Sequence, residues 1–397
     1  MTDPTAFGRG FAAAIAQTLE RIDADESGAV VTVCPEAVEV ARALDRELTT
    51  GPLAGMPFTA KDVLATAGTP SQAGSKALAG FVPDEDAPAV ARLRQAGAIL
   101  VGKTNCSELA LTPWTGNALF PETRHPTVPG RSPGGSSGGC AAAIAAGLVP
   151  LSLGTDYGGS VRLPAAACGI VALRPSPGRI PAGGQLPPAP AGSPRAAFSV
   201  VGPLAREVAH LHAALQALDG ARAARPLPAM LPGPVAVGAD DPLALRGAGA
   251  LGLSDAAPVE LPFLAAAEDC FTALRALDTY DDLRALADRL GPGLHALIER
   301  APRRLDAEAH AEHTARAEQL RAQADEFMAK HPLLLLPVTR GELPPPPGAP
   351  VPFEHLGPCR AISLLGLPAV AVRGIQVVAR RDHDEDALAA AALLARG

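Results

Sequence analysis

GRSPGGSSGGCAAAIAAGLVPLSLGTDYGGSVRLPAAACGIVALRPSPGRI, residues 130–180, sets glycine–serine clusters between short apolar runs and an alanine-rich stretch. LVPLSLGTD and GIVALRP are apolar, short and bounded by Gly or Pro, the pattern of strands buried on both faces. CAAAIAAG, which precedes them, reads as a buried helix. The alternation continues upstream, where PFTAKDV (57–63) and AILVGKTN (98–105) read as strands and APAVARLRQAG (87–97) as a helix. Residues 7–47 read as two amphipathic helices around the strand VVTVC. Alternation of this kind predicts an α/β fold with a largely buried mixed or parallel sheet flanked by helices.

Downstream, PAGGQLPPAPAGSPRA (181–196) forms a Pro/Gly loop, and PLAREVAHLHAALQALDG (203–220) reads as a helix. Residues 221–262 are rich in Ala, Pro and Gly and poorly periodic, and 264–330 are mostly helical. LLLLPV (333–338) is a buried strand and GELPPPPGAPVP (341–352) a stiff polyproline-like loop. GLPAVAV (366–372), a strand at IQVVA (375–379) and an Ala/Leu helix close the chain. There is no internal repeat and no flexible linker, so 1–397 is expected to form a single large domain.

Nearly half of the 397 residues are apolar, enough for a sizeable core. The net charge is −7 and no basic run exists, which argues against nucleic acid and anionic membranes as partners. The N-terminus lacks a basic n-region and opens a helix at Thr2, Asp3 and Pro4. No apolar run approaches the ~18 residues of a membrane span. The six cysteines (Cys34, Cys106, Cys140, Cys168, Cys270 and Cys359) include no CxxC pair and read as reduced thiols, so a cytoplasmic location is expected.

Two clusters carry the chemistry, GGSSGG (134–139) and DYGGSVR (156–162). Glycine-rich turns let backbone N–H groups converge on a hollow that suits a phosphate or the oxyanion of a tetrahedral intermediate. No phosphate-loop pattern accompanies them. A serine nucleophile needs a group to take its proton. His210 and His212 point to different faces of one helix. His310 and His313 share a Glu-rich polar helix without a third metal ligand. His383, among Asp382, Asp384, Glu385 and Asp386, reads as a solvated turn. The alternative base is lysine, of which the chain has only Lys61, Lys76, Lys103 and Lys330. Lys61 and Lys103 both end apolar strands, where desolvation lowers the pKa from ~10.4 and prepares a proton acceptor that arginine could not supply.

GMPFTAKD, GKTN, SPGGSSGG, GTDYGGSVRLPAAACGIVALRPSPGRI and the late GLPAVAV together resemble, in order, the pattern of the amidase signature family. The resemblance is dense from about 50 to 215, thin through a shortened 216–332, and returns in a closing segment, 333–397. It implies a mixed α/β sheet and a Ser–cis-Ser–Lys triad: nucleophile Ser160, middle serine Ser136 after a cis bond from Gly135, and base Lys61. It also implies support from Ser137 and an oxyanion hole of the N–H groups of Tyr157, Gly158, Gly159 and Ser160, with Asp156 and Arg162 as scaffold. No cofactor or metal is called for.

The chain departs from that pattern between about 221 and 262 and after GLPAVAV, regions that commonly line the substrate pocket. Arg174-Pro175-Ser176 replaces the usual Lys-Pro-Thr. Trp114 and Asn117 fall where a pocket wall is expected, Arg360 is a candidate for holding a carboxylate, and the loop 344–352 is expected to crowd the mouth. The expected function is hydrolysis of a small carboxamide without a partner protein, a homodimer being left open. The alternatives are the glutaminase component of a tRNA-dependent amidotransferase and a ureido-amide hydrolase acting on biuret- or allophanate-like compounds.

Overall fold

The computed structural model describes residues 10–219, 225–238, 241–253, 258–278, 281–284, 286–291, 294–295, 307–348 and 351–396. The helix start expected at Thr2–Pro4 lies outside them. The first described helix, Phe11–Asp23, precedes β1 (Val30–Val33) and the helix Ala37–Arg46. Asp45 of the second helix accepts from the N–H groups of Phe11 (2.7 Å) and Ala12 (3.1 Å), satisfying donors that a helix start leaves bare.

The remaining strands are β2 (Pro57–Lys61), β3 (Ile99–Thr104), β4 (Leu151–Asp156), β5 (Val171–Arg174), β6 (Val200–Ala205), β7 (Val235–Gly238), β8 (Pro258–Val259), β9 (Leu333–Pro337), β10 (Ala369–Val372) and β11 (Ile375–Ala379). They join one sheet in the order β1-β3-β2-β4-β6-β5-β10-β11-β9-β7-β8. β3, β2 and β4 are mutually parallel, β4 to β9 run antiparallel through β6, β5, β10 and β11, and β9, β7 and β8 are parallel again. The sheet is therefore mixed and flanked by helices, as the sequence leads one to expect.

Every residue of β2, β3 and β4 is buried. The two-residue period sends neighbours to opposite layers. Leu100, Val171, Leu173, Val370 and Val372 join a cluster with the helices Pro88–Gln95, Val208–Asp219 and Asp384–Arg396. Ile99, Val101, Ala172 and Ala371 pack with the helices Phe11–Asp23 and Gly138–Ala145 on the other side. Further along, Leu334 and Leu336 meet Pro262–Asp278, Ala307–Lys330 and Gly357–Leu365. Among the described residues no helix is long and apolar enough to cross a membrane.

Three sequence readings need correction. The helix expected from Pro203 begins at Val208, and Val200–Ala205 is β6, in the middle of the sheet. A strand there tolerates Pro203 because the β5 ladder is confined to Leu204 and Ala205. The poorly periodic 221–262 contains β7 and the helix Pro242–Ala250, whose start is capped by Asp241 accepting from Leu243 and Ala244, both at 2.9 Å. The acidic run after His383 is only partly a solvated turn. Asp384 and Glu385 are buried, Asp384 against Arg179 and Ser176, Glu385 against Arg179. Arg179 also holds Asp219 at 2.9 Å, so one guanidinium joins the last helix to Val208–Asp219.

Candidate active site

The parallel trio β3–β2–β4 ends on one edge of the sheet, and its terminal residues are Thr104, Lys61 and Asp156. Crevices beyond strand ends of this kind are where open α/β sheets place ligands. Lys61 is wholly buried. Its Nζ donates to Ser136 Oγ at 2.7 Å and to Thr155 Oγ1 at 2.9 Å. Burial lowers its pKa from 10.5 to about 8, against the weaker opposing pull of Cys106, Cys140 and Asp156.

Ser136 sits in the turn before the helix Gly138–Ala145, and the Gly135–Ser136 peptide bond is cis. A Cβ at Gly135 would lie 2.5 Å from the Trp114 nitrogen, so only glycine allows this turn to close against the 113–114 backbone. Thr115 Oγ1 donates to Gly134 O (2.7 Å) and accepts from Gly138 N (2.9 Å), pinning the turn from both sides. Ser137 donates its N–H to Ser160 O at 3.2 Å and its hydroxyl to Thr155 O at 3.3 Å, tying the turn to β4 and to the loop that carries Ser160.

That loop, 157–161, is shaped by Asp156. Its carboxylate accepts from Gly159 N (2.9 Å), Val161 N (3.3 Å), Arg162 Nε (3.0 Å) and Arg174 Nη1 (3.1 Å). Burial alone would push Asp156 up, but the two guanidiniums outweigh it and hold the carboxyl well below the usual range. Gly159 has φ +116°, and a Cβ there would lie 2.8 Å from Cys359 Cβ. Asp156 and Arg162 thus hold each other and, through Asp156, the turn of this loop. The Gly159 N–H, expected among the oxyanion donors, is instead engaged by Asp156.

Ser136, Thr155, Tyr157 and Ser160 line one cavity of about 250 Å³. Its outer wall is the Pro/Gly segment 182–189 with Arg195, Ala196 and Ser199. A smaller hollow of about 30 Å³ shares Tyr157 and Ser160 and is closed by Phe271, Arg275, Leu356 and Arg360. Arg360 therefore lines the same hollow as Ser160.

Trp114, Asn117 and the proline-rich loop stand elsewhere. Trp114 Nε1 donates to Glu122 (2.7 Å), and Asn117 Nδ2 donates to Asn105 Oδ1 and Cys106 O (both 2.8 Å). Neither lines the cavity, because each is taken up in bracing the 105–122 loop. The loop after Leu343 is held away by Arg131 Nε to Pro344 O (2.9 Å) and Ser132 N to Pro345 O (3.0 Å). The mouth belongs to 182–189 instead. Thr155 and Arg275 were missed by sequence reasoning. Thr155 looks like any β-branched strand residue, and Arg275 lies on a helix outside the signature. His310 and His313 gain no partners for a metal, since no metal-ligating group of three or more His, Cys, Asp or Glu occurs among the described residues.

A family model for amidases matches residues 13–241. The chain is 44% identical over 209 residues to a glutamyl-tRNA(Gln) amidotransferase subunit of Chloroflexus aurantiacus, a match over 51% of this chain and 42% of that one. The chain thus spans about two fifths of the length of such curated relatives. Among solved structures, one described as an amidase superposes with a TM-score of 0.84 at 30% identity, covering 97% of this chain and 96% of the other. The native peptide amidase of Stenotrophomonas maltophilia does so at 0.80 and 26%, covering 99% and 94%. This chain belongs to the amidase signature family.

Proposed function

We propose that the protein is a serine hydrolase that cleaves the C–N bond of a small carboxamide, with Ser160 as nucleophile. The observation that carries this is the 2.7 Å contact between the wholly buried Lys61 and Ser136, at the floor of the cavity that Ser160 also lines. With its pKa near 8, Lys61 is partly neutral at ordinary pH and accepts a proton from Ser136, which takes one from Ser160. Ser160 Oγ bonds to the amide carbonyl carbon, and the carbonyl π electrons move to oxygen. The oxyanion faces the N–H groups of the 157–160 loop other than Gly159, whose N–H Asp156 holds. The proton returns through Ser136 to the leaving nitrogen as the C–N bond breaks. Water then attacks the acyl–Ser160 ester by the same relay, releasing the acid. Thr155, the second partner of Lys61, fixes the direction of the amine.

Six buried free thiols support the cytoplasmic placement. The alternative, a role within an amidotransferase, draws support from the relative named above, but that likeness is confined to 51% of this chain. It requires a second protein that co-purifies. The test of the main reading is a fluorophosphonate probe followed by peptide mapping. The adduct is expected on Ser160 and absent from Ser160→Ala, and undiminished labelling of that variant overturns the assignment.

A further inference from the structure

The loop that carries Ser160 rests on a cluster of three charged side chains, Asp156, Arg162 and Arg174, all wholly buried. Asp156 ends β4 and accepts from Gly159 N (2.9 Å) and Val161 N (3.3 Å), so its carboxylate binds the residues on either side of Ser160. Arg162 grips that carboxylate through Nε (3.0 Å) and Nη2 (2.9 Å), and Arg174 through Nη1 (3.1 Å). Arg174 Nη1 also donates to Asp156 O at 2.7 Å, the carbonyl at which the loop begins. The remaining partners of the guanidiniums are neutral. Arg162 meets Gln376 Oε1 (2.8 Å), Cys359 O (2.9 Å) and Ser363 Oγ (2.9 Å), and Arg174 meets Phe198 O (2.9 Å) and Ser363 O (3.4 Å). Burial raises the nearby Cys359 thiol to about 11, so no thiolate adds a second negative charge at neutral pH. Burial lowers Arg174 only to about 10, which leaves it charged.

Among the described residues no other carboxylate pairs with either arginine, so two guanidiniums against one carboxylate leave the cluster positive. Away from water such a charge acts at a low effective dielectric and is little screened. Its sign matters to the reaction. When Ser160 Oγ bonds to the carbonyl carbon, the π electrons move to oxygen, and the oxyanion that forms has the same sign as Asp156. Asp156 also takes the Gly159 N–H that the oxyanion would otherwise use. Alone, this carboxylate would oppose the step. Arg162 cancels it, and Arg174 is the charge in excess. We infer that Arg174 is a positioning residue with an electrostatic role, its charge turning the field at the oxyanion from repulsive to attractive through the loop 157–160. The inference rests on the hydrolase reading above and adds to it a source of transition-state stabilisation.

The test varies charge and reads it with a probe that needs no known substrate. A fluorophosphonate forms an Oγ–P bond to Ser160 and expels fluoride, the serine proton passing to Ser136 and Lys61. Negative charge grows on the phosphonyl oxygen in that step, so the second-order labelling rate reports the field at the oxyanion. Arg174→Gln should slow labelling about ten- to a hundredfold, and Arg174→Lys, which restores the charge without the fork, should recover most of the loss. Gln376→Glu leaves both arginines in place and sets a carboxylate against Arg162, so it should slow labelling about as much as Arg174→Gln. Gln376→Met, which gives up the bond from Gln376 Nε2 to Pro337 O (3.0 Å) without adding charge, should lose clearly less. The ranking should persist in about 1 M salt, because a buried cluster is shielded from counterions. Circular dichroism checks the fold of each variant, and Gln376→Glu carries the test if Arg174→Gln does not fold. A parent-like rate in Gln376→Glu, or no recovery in Arg174→Lys, would mean that Arg174 acts by shape alone, which overturns the inference while the hydrolase reading stands. A parent protein that is not labelled at Ser160 overturns both.

Discussion

Lys61 ends β2 and Lys103 is the last residue but one of the neighbouring parallel strand β3, one residue apart in register, with Ala60 opposite Lys103 and Lys61 opposite Thr104. Both are wholly buried, and burial lowers both from 10.5 to about 8. Their partners differ. Lys61 meets the hydroxyls of Ser136 and Thr155, and both residues face the cavity. Lys103 donates to Leu64 O, Thr66 Oγ1 and Ser71 Oγ, with Asp62 as its principal opposing charge. None of those groups lines the cavity, so Lys103 staples the loop after β2 to β3. A depressed pKa therefore does not distinguish a proton acceptor from a structural cation. Access to a hydroxyl that itself reaches the cavity does.

The largest effect that separates the two sites should be on turnover. Lys61→Met removes the base, and kcat/KM on any amide the enzyme cleaves is expected to fall about 10²–10⁴-fold with the fold retained. Lys103→Met should leave kcat/KM per folded molecule within about tenfold. Steady-state kinetics with circular dichroism on the same preparations check this. The reverse ranking would transfer the role of base to Lys103.

The second separation is in stability, and it runs the other way. Removing Lys103 strips Leu64 O, Thr66 and Ser71 of their buried donor and takes from Asp62 the positive charge that holds its carboxyl down, a loss of about 1–3 kcal/mol. Ser136 and Thr155, freed by Lys61→Met, border a cavity that water can enter, so that substitution should cost clearly less. Urea unfolding of the two variants against the parent measures the difference. Equal losses would mean that the Lys61 site is as much a structural staple as its neighbour.

How much of this was legible in the sequence follows from which forces act locally. β2, β3 and β4 were plain because buried strands leave unbroken apolar runs. The cis turn at Gly135–Ser136 was legible only through the family pattern, since nothing in the composition of GGSSGG specifies it. β6 was hidden because Pro203 spoils the strand signal and the following residues have helical periodicity. Asp384 and Glu385 looked solvated because the arginine that buries them, Arg179, is far away in the chain. The cavity wall at 182–189 escaped for a similar reason: loops have no period, and their position is set by what they cover. Thr155 and Arg275 carry no local mark of the contacts they make. Residue chemistry narrowed the base to two strand-end lysines, and only three-dimensional partners tell them apart.

The smallest effect should show the lysines alike where they are alike and different where they differ. In the native chain each loses its proton near 8, in the unfolded chain near 10.5. Below 8 both states are protonated, and the full burial penalty weighs on the fold. Between the two values the unfolded state binds more protons, so native stability rises with pH across that window. Cys106 and Cys140 act with the opposite sign above their ordinary 9.0, because burial pushes them up and the native state then holds the extra protons. The lysine contribution is therefore cleanest from about pH 8 to 9 and is isolated by difference. Subtracting the stability of either Met variant from that of the parent should leave a slope of up to about 1.4 kcal/mol per pH unit. Activity breaks the symmetry. The acid limb of kcat/KM in the parent should titrate near 8, persist in Lys103→Met and vanish from the residual activity of Lys61→Met. A limb near 8 that survives Lys61→Met would mean that some other group accepts the proton of Ser136.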